Sequence, residues 1–175
     1  MDLWDNPAGT DGFEFVEYAA PEPKALGALF ESMGFSAVAK HHHKDVTLYK
    51  QGDVHFIINA EPRSFAQNFA RRHGASVCAI AFRVKDAKRA YERLLDAGAW
   101  GVEGHAGPME LNIPAIKGIG ASLIYLVERY PENDYGHTIY DVDFRPLPGL
   151  ESFWAGEAPA PAGAGLVCVD HLTHN

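Results

Sequence analysis

The apolar positions fall into short runs separated by glycine, and the period of the runs changes in a fixed order. Phe13 to Val16 is a short apolar run with Glu14 inside it, which reads as a strand. Pro21-Glu22-Pro23 follows. Leu26, Leu29, Phe30 and Met33 then recur at helical spacing and predict one buried helix face. Gly34 stands where such a helix needs a left-handed cap. Ala37 to Ala39, Val46 to Tyr49 and Val54 to Ile58 read as three short strands, with Gly52-Asp53 as the turn between the last two.

The same order comes again. Val77 to Val84 is a strand, Asp86 suits a helix N-cap, and Ala87, Ala90, Tyr91 and Leu94 form the next helical stripe. Gly98 ends it. Gly101-Val102-Glu103, Glu110 to Ile113 and Ser122 to Val127 are the strand candidates, with Gly118 and Gly120 in the last turn. Gly34 lies over Gly98 at a shift of 64 residues, which also lays Val16 over Ile80 and Tyr18 over Phe82. Gly52 lies over Gly120 at a shift of 68, so the second copy carries four extra residues. A unit of strand, helix and three strands cannot bury the open face of its sheet alone, whereas two copies packed together can. The expected fold is therefore α+β, with two tandem βαβββ modules at about 10–62 and 76–130 inside an N-terminal domain, 1–150. Leu26 and Leu94 are expected to be buried under their sheets. Between the copies, Ser64 as a cap, Phe65 and Phe69 at i,i+4, and Gly74 as a stop predict a connecting helix.

Beyond the second copy, Ile139 to Phe144 reads as one more strand. Residues 151–165 are dominated by Ala, Pro and Gly and read as a linker, the internal stretch expected to be least ordered, with Phe153 and Trp154 as local anchors. Leu166 to Asp170 begins another apolar run. Residues 166–175 are thus expected to be the start of a further, truncated domain.

Composition narrows the function. The chain has 175 residues, 47% hydrophobic and 22% charged, ordinary globular values. Its 23 acidic and 15 basic residues give a net charge of −8, which disfavours non-specific binding to nucleic acid. No apolar run approaches the roughly 18 residues needed to cross a bilayer. The opening Met1-Asp2-Leu3-Trp4-Asp5-Asn6-Pro7 has neither a basic start nor an apolar core, so no signal peptide is expected. Cys78 and Cys168 sit in apolar, strand-like runs and are expected as two buried thiols. A cytoplasmic protein without nucleic-acid or membrane partners is the expectation.

Among candidate chemical groups, Asp170-His171-Leu172-Thr173-His174 stands out. His171 ends an apolar run, where a strand can hold a metal ligand rigidly. His174 lies three residues on and would point to the opposite face of a continuing strand, so the pair does not chelate one ion without a bend. His41-His42-His43 resembles a metal-binding tract. Successive strand residues diverge, however, and Lys40 and Lys44 flank the run, so an exposed strand or loop is expected. Gly118-Ile119-Gly120 lacks the third glycine and the following helix of a nucleotide fingerprint, and Lys117 beside it does not make a P-loop; a hairpin turn is expected. Cys78, mid-strand, reads as inert packing. Phe56, Phe82 and Tyr125 alternate with aliphatic residues and read as core.

The strand–helix–three-strand repeat resembles the vicinal oxygen chelate superfamily of glyoxalases, bleomycin-resistance proteins and extradiol dioxygenases. Longer stretches are similar to the bacterial 4-hydroxyphenylpyruvate dioxygenases. They are Gly9-Thr10-Asp11-Gly12-Phe13-Glu14-Phe15-Val16-Glu17-Tyr18, Asp45-Val46-Thr47-Leu48-Tyr49, and Val54-His55-Phe56-Ile57-Ile58-Asn59-Ala60-Glu61-Pro62. Further on come Gly107-Pro108-Met109-Glu110-Leu111-Asn112-Ile113-Pro114-Ala115-Ile116-Lys117-Gly118-Ile119-Gly120, Ile139-Tyr140-Asp141-Val142-Asp143-Phe144 and Val169-Asp170-His171-Leu172-Thr173-His174.

The resemblance implies an enzyme that uses Fe(II), held by two histidines and one glutamate, to turn a keto acid and O₂ into homogentisate and CO₂. It implies His171 as the first metal ligand, with the other two outside this chain. It therefore implies no catalytic residue and no tightly bound iron here, and it is compatible with a homo-oligomer. Laying Val16-Glu17-Tyr18 over Val169-Asp170-His171 puts Tyr18 and Phe82 at the histidine position of the two copies, and the glutamate position near Ile57 and Tyr125. Both copies then keep the fold without the metal. Hydroxymandelate synthase is the nearest enzymatic alternative. A free-standing binding module like the bleomycin-resistance proteins and a glyoxalase-type metal enzyme are the others; the Ala/Pro linker counts against the former and the missing ligands against the latter.

Overall fold

The structure is a computed structural model that describes residues 5–102, 110–133 and 135–173. The chain is mixed α+β and divides into two units, Met1–Glu14 with Ala79–Asp143, and Phe15–Cys78 with Phe144–Asn175. The division falls inside strand β1 (Thr10–Ala19) and inside strand β5 (Ser76–Val84).

In the unit that begins at Phe15, β1 leads into helix α1 (Pro23–Ser32), then β2 (Ser36–His41), β3 (Val46–Gln51) and β4 (Val54–Asn59). The first and last of these run parallel, with Val16 opposite Phe56 and Tyr18 opposite Ile58. The others are antiparallel, and β9 (Phe144–Pro146) adds to the outer edge of β2. Pro23 sits in the first turn of α1, where its missing N–H costs nothing, and Gly34 closes the helix end at φ +89. The helix packs through Phe30, which joins Phe35, Tyr49, Val54 and Ile58 in one apolar cluster. Gly27 faces the Tyr49 hydroxyl so closely that a Cβ would collide with it. This approach turns the helix. Leu26 is half-buried against the cluster, while Leu29 and Met33, expected on the buried face, are exposed at 53% and 43%.

Helix α2 (Phe65–His73) follows the expected signals. Ser64 accepts the Gln67 N–H at 3.1 Å, and Gly74 ends the helix at φ +74. Its Ala66 and Ala70 pack on Ala19 and Cys78.

A buried polar chain fixes this unit's centre. The Asn59 amide donates to the Glu17 carboxyl at 2.7 Å, and its Oδ1 accepts the Glu61 N–H at 3.1 Å. The Gln67 amide donates to the Asn59 carbonyl at 2.8 Å, tying α2 to the end of β4. Burial pushes the Glu17 carboxyl above its ordinary 4.5, with the Asn59 amide, the Lys44 charge and the Cys78 thiol pulling the other way.

The other unit repeats the plan. Strand β5 leads into helix α3 (Ala87–Asp96), then β6 (Gly101–Val102), β7 (Ala115–Lys117) and β8 (Leu123–Val127). Strands β5 and β8 are parallel, with Ile80 opposite Ile124 and Phe82 opposite Leu126. The 64-residue shift carries Val16 to Ile80, and the 68-residue shift carries Phe56 to Ile124, so both halves of the sequence alignment meet in the strand register. Asp86 caps α3 by accepting the Arg89 N–H at 2.8 Å, and Glu128 accepts the Ala87 N–H at 2.8 Å. Ala87 and Ala90 are buried with Val84 and Leu126, and Leu94 is half-buried beside them. The turn before β8 is a single 3-10 turn, Ile119–Ala121, closed by the Gly118 N–H donating to the Ser122 carbonyl.

Within this unit Glu14 and Arg83 form a buried ion pair at 2.6 Å. The Arg83 guanidinium also lies over the Tyr130 ring, and the Tyr130 hydroxyl donates to Asp11 at 2.9 Å.

Several expected strands are absent. Ile139–Asp143 is a helical turn, α4, before β9 begins at Phe144, because Asp141 accepts the Thr138 N–H and hydroxyl and starts a turn instead. Residues 110–113 are irregular and the antiparallel partner of β8 is Ala115–Lys117; Glu103 lies outside the described residues. Leu166 to Asp170 forms no strand, and Cys168 there is exposed rather than buried; Cys78 is buried as expected. Helix α5 (Glu151–Trp154) carries Phe153 and Trp154.

Two outcomes test these contacts. Glu17 has a raised folded-state value, so its contribution is full below the unfolded value and is lost as pH rises through the folded value. In denaturant melts between about pH 4 and about pH 8, Glu17→Gln should gain on the unmodified chain steadily above 4.5; a pH-independent difference would contradict the buried acid. Arg83→Met leaves Glu14 charged and buried and should cost about 3 kcal/mol, most of it recovered by adding Glu14→Leu. Additive losses in that double-mutant cycle would show that the two side chains do not act as a pair.

Candidate functional site

His171 lies in an extended, exposed segment, with its Nδ1 2.6 Å from the neighbouring Asp170 carboxylate. His174 lies outside the described residues. Among the described residues, no group of three or more His, Cys, Asp or Glu converges to hold a metal ion.

The histidine tract divides. His41 ends β2 and is buried, its ring edge-on to Phe144 at 5.5 Å. Its Nδ1 accepts the His43 and Lys44 N–H groups at 3.1 and 3.3 Å. The expectation of an exposed run holds for His42 and His43 and fails for His41, whose ring covers the edge where β9 pairs. One ring nitrogen is thus committed to the backbone of its own turn, not to an ion.

The two repeat positions singled out as vestigial ligand sites do not face each other. Tyr18 is opposite Ile58 and packs on Phe30 of α1 at 5.0 Å, so it points to the helix side. Ile57 is opposite Glu17, on the other side. In the second module Phe82 is opposite Leu126 and Tyr125 is opposite Ala81, the same mismatch. The overlay therefore put its two positions, Tyr18 and Ile57, on opposite faces of the sheet. Burial also pushes the Tyr18 hydroxyl up to about 12, so it offers no phenolate near neutral pH. On β1 the residue that shares a face with Ile57 is Glu17, and it is engaged by Asn59.

Sequence reasoning missed Gln51. It is a buried polar residue at the end of β3, and its side chain reaches both the α1 terminus and the C-terminal segment. Only its polar character at an inward strand position signalled it.

The family described as hydroxyphenylpyruvate dioxygenase, HPPD, N-terminal, matches residues 4–145. The 4-hydroxyphenylpyruvate dioxygenase of Pseudomonas sp. (strain P.J. 874) is 52% identical over 99% of this chain and 46% of its own length. Hemolysin VllY of Vibrio vulnificus (strain CMCP6) is 50% identical over 97% of the chain and 46% of its own length. Among solved structures, a xylose isomerase-like TIM barrel/4-hydroxyphenylpyruvate dioxygenase fusion protein superposes with a TM-score of 0.77 at 38% identity, covering 97% of this chain and 26% of that one. The chain spans about half the length of the curated relatives it matches. With the repeat, its strand register and these relatives in agreement, the chain belongs to the family of hydroxyphenylpyruvate dioxygenase N-terminal domains.

Proposed function

We propose that the chain supplies the N-terminal, non-catalytic part of a 4-hydroxyphenylpyruvate dioxygenase, the enzyme that converts 4-hydroxyphenylpyruvate and O₂ to homogentisate and CO₂. The observation that carries the reading is the 52% identity across 99% of the chain to a relative of that name. We divide it as 1–150, with modules at about 10–62 and 76–130, a linker at 151–165, and 166–175 leading into the catalytic domain. His171 is the first iron ligand in this proposal, oriented by Asp170. The second histidine and the glutamate belong to the part of the relatives that this chain does not match.

The role left to these residues is to scaffold. The buried pairs Glu14–Arg83 and Glu17–Asn59 hold the module strands, and the C-terminal segment presents His171. One imidazole leaves an ion's remaining positions to water, so this chain alone fixes neither iron nor keto acid.

The test uses metal-stripped protein, Fe(II), ascorbate and 4-hydroxyphenylpyruvate, with O₂ uptake and homogentisate as readouts. The 175-residue chain should give no turnover. A chain joining it to the remaining C-terminal part of the Pseudomonas relative should give turnover, and His171→Ala in that joined chain should lower it more than about a hundredfold, since even outer-shell partners of a metal ligand cost 10–100-fold. Turnover indifferent to His171 would sink the ligand assignment. A folded joined chain that makes no homogentisate would sink the functional reading.

A further inference from the structure

Residues 163–169 have no regular secondary structure, yet they are held at successive points along one edge of the first module. Gln51 makes the central contact. Its Nε2 donates to the Met33 carbonyl at 3.1 Å, an orphan group at the end of α1. Its Oε1 accepts two backbone donors of the segment, the Ala164 N–H at 2.5 Å and the Leu166 N–H at 3.2 Å. One residue further, the Asp53 N–H donates to the Val167 carbonyl at 2.9 Å. Val169 then packs against the cluster of Phe30, Phe35, Tyr49, Val54 and Ile58.

Glycines clear the path. A Cβ on Gly163 would lie 2.6 Å from the Gln51 Cγ, and one on Gly34 would lie 2.6 Å from the Ala164 nitrogen. Gly34 therefore serves twice, as the left-handed end of α1 and as the gap through which the segment passes. An amide is the side chain suited to position 51, because it must donate to a carbonyl and accept from N–H groups at once. The segment runs only four residues from Val167 to His171, so a free path before Val167 would leave the imidazole free as well.

We propose that Gln51 is a positioning residue for His171: it fixes the course of the segment that delivers the histidine, through contacts made wholly by the first module's edge. The consequence for metal binding rests on the function proposed above; the clamp itself does not.

The clamp is read in the 175-residue chain by amide hydrogen exchange. Gln51→Ala should speed exchange at Ala164 and Leu166 by tenfold or more, while amides pairing β3 with β4 keep their protection and report an intact fold. Gly163→Val displaces the segment from outside the module and should speed the same two amides, even where Gln51→Ala weakens folding. Gln51→Glu keeps an acceptor oxygen for the two N–H groups but loses the donor to Met33, so it should restore protection only in part. Unchanged exchange at Ala164 and Leu166 in both Gln51→Ala and Gly163→Val would overturn the clamp. The positioning role is read in the joined chain of the preceding section, by titrating Fe(II) into Gln51→Ala, Gln51→Glu and the unmodified protein. Weaker iron binding in Gln51→Ala, partly rescued in Gln51→Glu, is the expected result. Equal iron affinity in all three, beside faster exchange in the short chain, would overturn positioning while leaving the functional reading intact. That reading stands or falls separately, on homogentisate production by the unmodified joined chain.

Discussion

Parallel pairing between the first and last strands of each module is the constraint on which the other features depend. A parallel pair cannot be closed by a tight turn; the chain must travel back the length of the sheet before the second strand begins. Here the return journey is a helix followed by two antiparallel strands, and the last strand slots in beside the first. The helix must then end abruptly, which is why a left-handed glycine follows it in both copies, Gly34 at φ +89 and Gly98 at φ +93. The insertion in the second copy falls after its helix and leaves the parallel register untouched, Val16 with Phe56 and Ile80 with Ile124.

The same geometry accounts for the buried acids. Polar residues of a buried strand cannot turn to water and must be paired inside the protein. Glu14 and Glu17 sit three apart on β1 and are both almost fully covered, yet they solve the problem differently. Glu14 finds a guanidinium, itself stacked on Tyr130; Glu17 finds an amide, and shifts toward its neutral form. Neither arrangement resembles an ion site. Both resemble devices that fix which residue faces which, since a slip of one position would bury a carboxylate with no partner.

Much of this was legible in the sequence because it is written in local chemistry. Ser64 and Asp86 announced their caps, and the stripe Ala87, Ala90, Tyr91 and Leu94 announced its buried face. Errors arose where tertiary contact overrides the local pattern. The periodicity of Leu29 and Met33 gave no hint that Gly27 would bring α1 against Tyr49 and rotate those two outward. The alternation in Ile139 to Phe144 concealed a side-chain cap by Asp141 that starts a helical turn. The repeat overlay put its two positions, Tyr18 and Ile57, on opposite faces of the sheet, and only strand register could reveal the mismatch. Gln51 was hard to see for a related reason: its partners in the C-terminal segment are backbone groups more than a hundred residues away, which leave no mark on spacing.

The placement of the two cysteines has a practical side. Cys78 is sealed beneath α2 with no accessible surface, whereas Cys168 stands in the open between Val167, bonded to Asp53, and Val169, packed on the aromatic cluster. A thiol reagent should therefore distinguish them without mutagenesis, modifying one sulfur in the folded chain and two once it unfolds. A fluorophore or spin label attached in this way would ride on the C-terminal segment itself, at the one residue between its last two anchors.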